Sequence, residues 1–112
     1  MAKLPGCPTD ALMQILAGRW KLMVIYYLMQ GERRFNELQR SLGPITHRTL
    51  AQQLRELERD GLVTRRDHGT IPPRVDYRLT ALGQSLSPIL LAMQDWAETH
   101  GLGHSKTVLP KG

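Results

Sequence analysis

Arg48, Gln52, Arg55 and Arg59 recur at helical spacing within the stretch from Thr46 to Gly61, so they share one face of a predicted helix. Arginine and glutamine are side chains that grip phosphates or read base edges through paired hydrogen bonds. Thr46, His47 and Thr49 crowd the start of the stretch, and Gln53 extends its polar surface. Leu50, Leu54 and Leu57 recur at i, i+4 and i+7 on the other side, an apolar stripe to bury. The chemistry on offer is charge and hydrogen bonding towards a polyanion. The plainer alternative is a solvated polar face on an ordinary helical hairpin.

Cys7 is the second candidate. It is the single cysteine, so the chain forms no internal disulfide. It precedes Pro8, a residue suited to the first position of a helix. Free N–H groups and the helix dipole stabilise a thiolate at such a place. A thiolate there can be oxidised to sulfenate, capped by a small thiol or bridged to a second copy. The alternative is a small apolar side chain at a helix start. His47, His68, His100 and His104 do not fall at a metal-binding spacing, and Gly101 and Gly103 keep the last two off a common helical face. No G-x-S-x-G nucleophile motif and no glycine-rich phosphate loop occurs. The expectation is a protein that is not an enzyme, with no cofactor and no metal.

The flanking elements must position the Arg/Gln helix. Asn36 is expected to cap a short helix over Glu37–Leu42, followed by the turn Gly43-Pro44-Ile45. Helix, tight turn, helix is the arrangement that delivers a second helix to the DNA major groove. Thr46 can cap that second helix and Gly61 can end it. Beyond Gly61 the period falls to two. Leu62–Asp67 and Arg74–Leu79 read as strands around a Gly- and Pro-containing loop. In the latter, Val75, Tyr77 and Leu79 alternate with Arg74, Asp76 and Arg78, one face in and one out. This hairpin is a wing. Arg65, Arg66, Arg74 and Arg78 are its candidates for DNA contact, although alternation prevents them all from facing one way.

Upstream, a first helix from Pro8 carries Leu12 and Ile15 and ends at Gly18. A second, Arg19–Gln30, is apolar almost all round and must be central, with Trp20 as a core anchor. Arg33–Phe35 is a short strand candidate. Downstream, Thr80 caps a long last helix, Ala81–Thr99, which Pro88 should kink. Leu86, Ile89, Leu90, Met93 and Trp96 form an apolar arc wider than one small domain needs. Together with Leu12 and Ile15 they form the expected homodimer surface; the alternative is that the helix wraps its own domain. Residues 1–6 read as a flexible arm, 7–100 as the domain and 101–112 as a disordered tail.

The 112 residues fit one domain, 41% hydrophobic and 22% charged, the balance of a soluble globular chain. The formal charge of +5 favours a polyanionic partner. Ten of the eleven arginines lie between Arg33 and Arg78, interspersed with acids, so the charge is patterned over a surface. The longest apolar run, Leu22–Met29, is far too short for a membrane span, and no apolar leader opens the chain. With a single cysteine, a reducing cytoplasm is the expected compartment.

Several segments resemble the HxlR-type transcriptional regulators, winged-helix proteins related in fold to the MarR group. They are Cys7-Pro8, Gly18-Arg19-Trp20-Lys21, Arg34-Phe35-Asn36-Glu37-Leu38, the run Leu50–Glu58, Asp60-Gly61-Leu62-Val63 and the run Pro72–Thr80. They occur in order from Cys7 to about Trp96, nearly the whole domain. The resemblance implies a homodimer on a roughly palindromic double-stranded operator, one recognition helix per half-site, acting mostly as a repressor. It also implies that some members sense electrophiles or oxidants through the cysteine corresponding to Cys7, while the inducer itself does not carry over. The fold class expected is therefore mainly α with a small β-hairpin, a winged helix-turn-helix dimerising through its terminal helices. The competing reading is a winged-helix protein-interaction module that presents the same arginines to an acidic partner.

Overall fold

The computed structural model describes residues 8–15 and 18–102, with only the backbone of Ile15. The expected arm, Cys7, the expected helix end before Gly18, His104 and all but the start of the expected tail lie outside those residues.

The order is α1 (Pro8–Ile15), α2 (Arg19–Leu28), β1 (Arg33–Arg34), α3 (Phe35–Leu42), α4 (His47–Arg59), β2 (Val63–Asp67), β3 (Val75–Leu79), α5 (Ala81–Gln84) and α6 (Ser87–Thr99). The strands form an antiparallel sheet in the order β1-β3-β2. The winged helix-turn-helix is present, and the expected two-stranded hairpin is extended by β1 on its far side. Pro8 opens α1 as expected.

Burial follows the periodicities. Val24, Ile25, Tyr27 and Leu28 of α2 lie at the centre with Leu38 and Leu42 of α3 and Leu50, Leu54 and Leu57 of α4. Val63, Tyr77 and Leu79 close the core from the sheet, and Trp20 packs half-buried against it. Fully burying a leucine or isoleucine contributes about 1.5–3 kcal/mol, so α4 is fixed chiefly by its three leucines.

Three local expectations are corrected. Asn36 does not cap α3: the helix starts at Phe35, and the backbone N–H of Arg34 donates to Glu37 Oε1 at 2.9 Å. A carboxylate at the third helical position captures this N–H and moves the start forward by two residues. Pro88 does not kink one long helix but separates two. It lies in the first turn of α6, where its missing N–H costs nothing, and α5 ends at Gln84. Asp76 does not face outward into water; it is 2% exposed, under His68 and Arg74.

Thr80 binds these parts together. Its Oγ1 donates to Gly61 O at 2.6 Å and accepts from Gly83 N at 3.1 Å, while its own N–H donates to Leu62 O at 3.0 Å. Gly83 lies so close that a Cβ there would fall 2.2 Å from Leu62 O. Only glycine lets α5 approach the start of β2 this closely.

Candidate nucleic-acid interface

The turn from α3 to α4 is held by side chain and backbone together. Gln39 Nε2 donates to Ile45 O at 3.2 Å, and Ile45 N donates to Gly43 O at 2.8 Å. Thr46 caps α4 as its sequence predicts: Oγ1 accepts from Thr49 N at 3.1 Å. The same hydroxyl lies 2.9 Å from Thr49 Oγ1, so both threonines are used in building the helix start. At the other end Gly61 takes φ 78°. Its N–H reaches Glu58 O and that of Leu62 reaches Leu57 O, each at 3.0 Å, the paired closure that glycine makes possible after a helix.

Burying Leu50, Leu54 and Leu57 turns Arg48, Gln52, Arg55 and Arg59 outward, and all four are exposed. Arg55 Nη2 donates to Gln52 Oε1 at 3.0 Å, and Gln52 Nε2 donates to Glu56 Oε2 at 2.6 Å. The glutamine amide is thus pre-oriented between two partners. Thr49 and Gln53 stand half-buried on the flank shared with Glu56. That flank faces α2, where Lys21 Nζ lies 2.7 Å from Glu56 Oε1. Hydrogen bonds from Lys21 and then Gln52 hold the Glu56 carboxyl below the ordinary glutamate range. The buried Lys21 gave no sequence signal beyond a cation among the apolar residues of α2. His47, on the opposite flank, rests on Phe35 with ring centroids 4.5 Å apart.

The wing arginines divide by register. Arg65 pairs with Tyr77 and therefore shares the sheet face that carries the core, though it lies beyond the core's edge and is exposed. Arg66 pairs with Asp76 on the other face, as does Arg34 from β1. Asp76 is the anchor of that face. His68 Nε2 lies 2.9 Å from Asp76 Oδ2, and Arg74 donates through Nε at 3.4 Å and Nη2 at 3.3 Å. Burial alone would raise this carboxyl. The bonds and charges of His68 and Arg74 outweigh it and keep the pKa below the ordinary aspartate range. In the sequence Asp76 reads as solvent-facing because an alternating strand normally wets one face, and the His68 contact cannot be read from spacing.

At the other end of the molecule Leu86 and Leu90 turn into the chain's own core, 8% and 6% exposed. That removes them from the free surface expected of the last helix, because they pack into the same core as α2. Ile89, Met93 and Trp96, at i, i+4 and i+7, remain exposed with Leu91. Leu12 packs half-buried against the core, while the Ile15 side chain lies outside the described residues. Among the described residues no group of three or more His, Cys, Asp or Glu could hold a metal. No described helix is long and apolar enough to cross a membrane.

Residues 15–104 match the family model of the HxlR-like helix-turn-helix. A Bacillus subtilis (strain 168) protein described as the uncharacterized HTH-type transcriptional regulator YdeP is 44% identical over 95 residues, 85% of this chain and 74% of its own. Among solved structures, the redox regulator HypR in its reduced form is 41% identical, with a TM-score of 0.81 over 84% of this chain and 93% of that one. Its oxidized form gives 43% identity and a TM-score of 0.78 over 83% and 96%.

Proposed function

The chain belongs to the HxlR-like helix-turn-helix family of transcriptional regulators, which bind DNA and are not enzymes, and from that premise we propose that it is a homodimeric repressor of a roughly palindromic operator. One observation carries the reading: α4 presents Arg48, Gln52 and Arg55 outward, beside a wing that presents Arg65, Arg66 and Arg74. The helix supplies base readout, and the wing supplies phosphate contacts that fix register. Thr46 and Thr49 shape the helix start, and His47 and Gln53 border the reading face. Two such helices serve a palindrome only when held about 34–36 Å apart, one turn of DNA. The exposed stripe Ile89, Met93 and Trp96 supports a second copy as the device that holds them. The compartment this function requires is the cytoplasm, with the DNA.

The test is a mobility shift at low salt, with unrelated DNA as competitor, on the region upstream of the protein's own gene. Sequence-selective, salt-sensitive retardation is expected. Retardation abolished by any competitor DNA would argue instead for a surface that meets another acidic partner.

Cys7 is the proposed switch, supported by the likeness to a regulator described as existing in oxidized and reduced forms. An oxidant such as diamide should release the DNA, a thiol reductant should restore binding, and Cys7→Ser should bind normally and ignore the oxidant. Full affinity retained with the thiol demonstrably modified would make Cys7 structural.

A further inference from the structure

The amide of Gln52 sits between a partner that only accepts and a partner that only donates. Its Nε2 lies 2.6 Å from Glu56 Oε2, and its Oε1 lies 3.0 Å from Arg55 Nη2. An ionised carboxylate has no proton to give, and a guanidinium has no lone pair to offer. The amide therefore takes one orientation: turned over, it would set oxygen against oxygen and nitrogen against nitrogen. Each amide atom keeps half of its capacity, one N–H and one oxygen lone pair. Gln52 is exposed, so that remaining pair is open to a partner.

Glu56 holds the amide because Glu56 is itself held. On a helix surface a polar contact at i, i+4 is weak by itself. Here the second carboxylate oxygen meets Lys21 Nζ at 2.7 Å. Lys21 belongs to α2 and is 6% exposed, and among the described residues it has no other ion pair. A buried ammonium without its counter-charge is costly, so the carboxylate stays at this point rather than turning to solvent. The position of the Gln52 amide thus depends on a residue in another helix.

We propose that Lys21, acting through Glu56, is a positioning residue for base recognition, and that the Gln52 amide it presents selects adenine over guanine at one position of the operator. The inference rests on the proposed function and deepens it. In the major groove adenine offers an acceptor, N7, beside a donor, N6, and the remaining N–H and lone pair of Gln52 complement them. Guanine offers two acceptors, N7 and O6. A free glutamine can turn both N–H groups of its nitrogen towards guanine, whereas the held one has only one left to give. Lys21 is buried and meets no base itself.

The probe is a pool of duplexes of random sequence, from which the full chain selects its operator; single-substituted copies of that operator then measure each position. At the position where Gln52→Ala loses discrimination, the parent should prefer adenine to guanine by about tenfold or more. Lys21→Met should reduce that preference to about threefold or less. In the Gln52→Ala background, Lys21→Met should change nothing further at that position, because the two residues act as one unit. A merely structural Lys21 would weaken all sequences alike, with or without Gln52. If Lys21→Met does not fold, the pair Lys21→Met with Glu56→Leu removes both charges and decides the matter. A base other than adenine at the Gln52 position, or a preference kept after Lys21 is replaced, would overturn the proposal and leave the proposed function standing. A parent that selects no sequence at all would overturn both.

Discussion

Lys21 on α2 reaches Glu56 on α4 across 2.7 Å, and through it fixes Gln52 on the exposed face of that helix. Glu56 accepts from Lys21 on one oxygen and from Gln52 on the other, and Gln52 in turn accepts from Arg55. A nearly buried ammonium is thereby linked by three contacts to the exposed face of the recognition helix. Because Glu56 has a lowered pKa in the fold, its contribution is complete at neutral pH. It is lost as the pH falls below the ordinary glutamate range and through the folded value.

Lys21→Met should therefore lower stability at about pH 7 by about 1–3 kcal/mol, towards the lower end because Glu56 is partly in water. The difference from the parent should shrink when the pH is lowered from neutral into the range below that of an ordinary glutamate, as Glu56 takes up its proton. Urea melts at the two pH values measure it. A gap that does not change with pH would show that the pair contributes nothing beyond packing.

Gln52→Ala should cost about 1–3 kcal/mol at one base pair of the operator if the amide makes a paired contact with a base. Arg55→Ala should weaken all sequences more evenly, as removing a phosphate-binding cation does. Binding of both folded variants to a set of single-substituted operators distinguishes the two. Parental affinity in both would remove α4 as the reading element.

The wing arginines should differ among themselves. Replacing Arg65, Arg66 and Arg74 with glutamine should flatten the log–log salt dependence by about 0.9 for each phosphate that is no longer neutralised. Arg74 also holds Asp76, so Arg74→Gln alone should lower thermal stability whereas Arg66→Gln should not. An unaltered salt slope in the triple variant would leave the wing without a part in binding.

Met93→Glu should give folded monomers that lose cooperative occupation of two half-sites, since Met93 is 48% exposed on α6. Leu90→Glu, one turn away but in the core, should unfold the chain instead. Sedimentation of the parent as a monomer at micromolar concentration would contradict the dimer.

Much of this architecture is legible in residue order. Leu50, Leu54 and Leu57 announce both the existence of α4 and the side it buries, and the Thr46 cap and Gly61 stop mark its ends. What is not legible depends on contacts between distant segments. The ion pair of Lys21 with Glu56 joins residues with no fixed spacing. Leu86 and Leu90 have the same character as Ile89 and Met93, and only the packing of α6 against the core sorts buried from exposed. Asp76 escapes a two-residue rhythm because His68 and Arg74 fold over it from the loop side.

The division of α4 into separate faces has a consequence for how its descendants can diverge. Selection for stability acts chiefly on the leucine stripe, while Arg48, Gln52 and Arg55 stand exposed outside the apolar core. A duplicated gene can therefore drift to a new operator through those outward positions and keep its fold throughout.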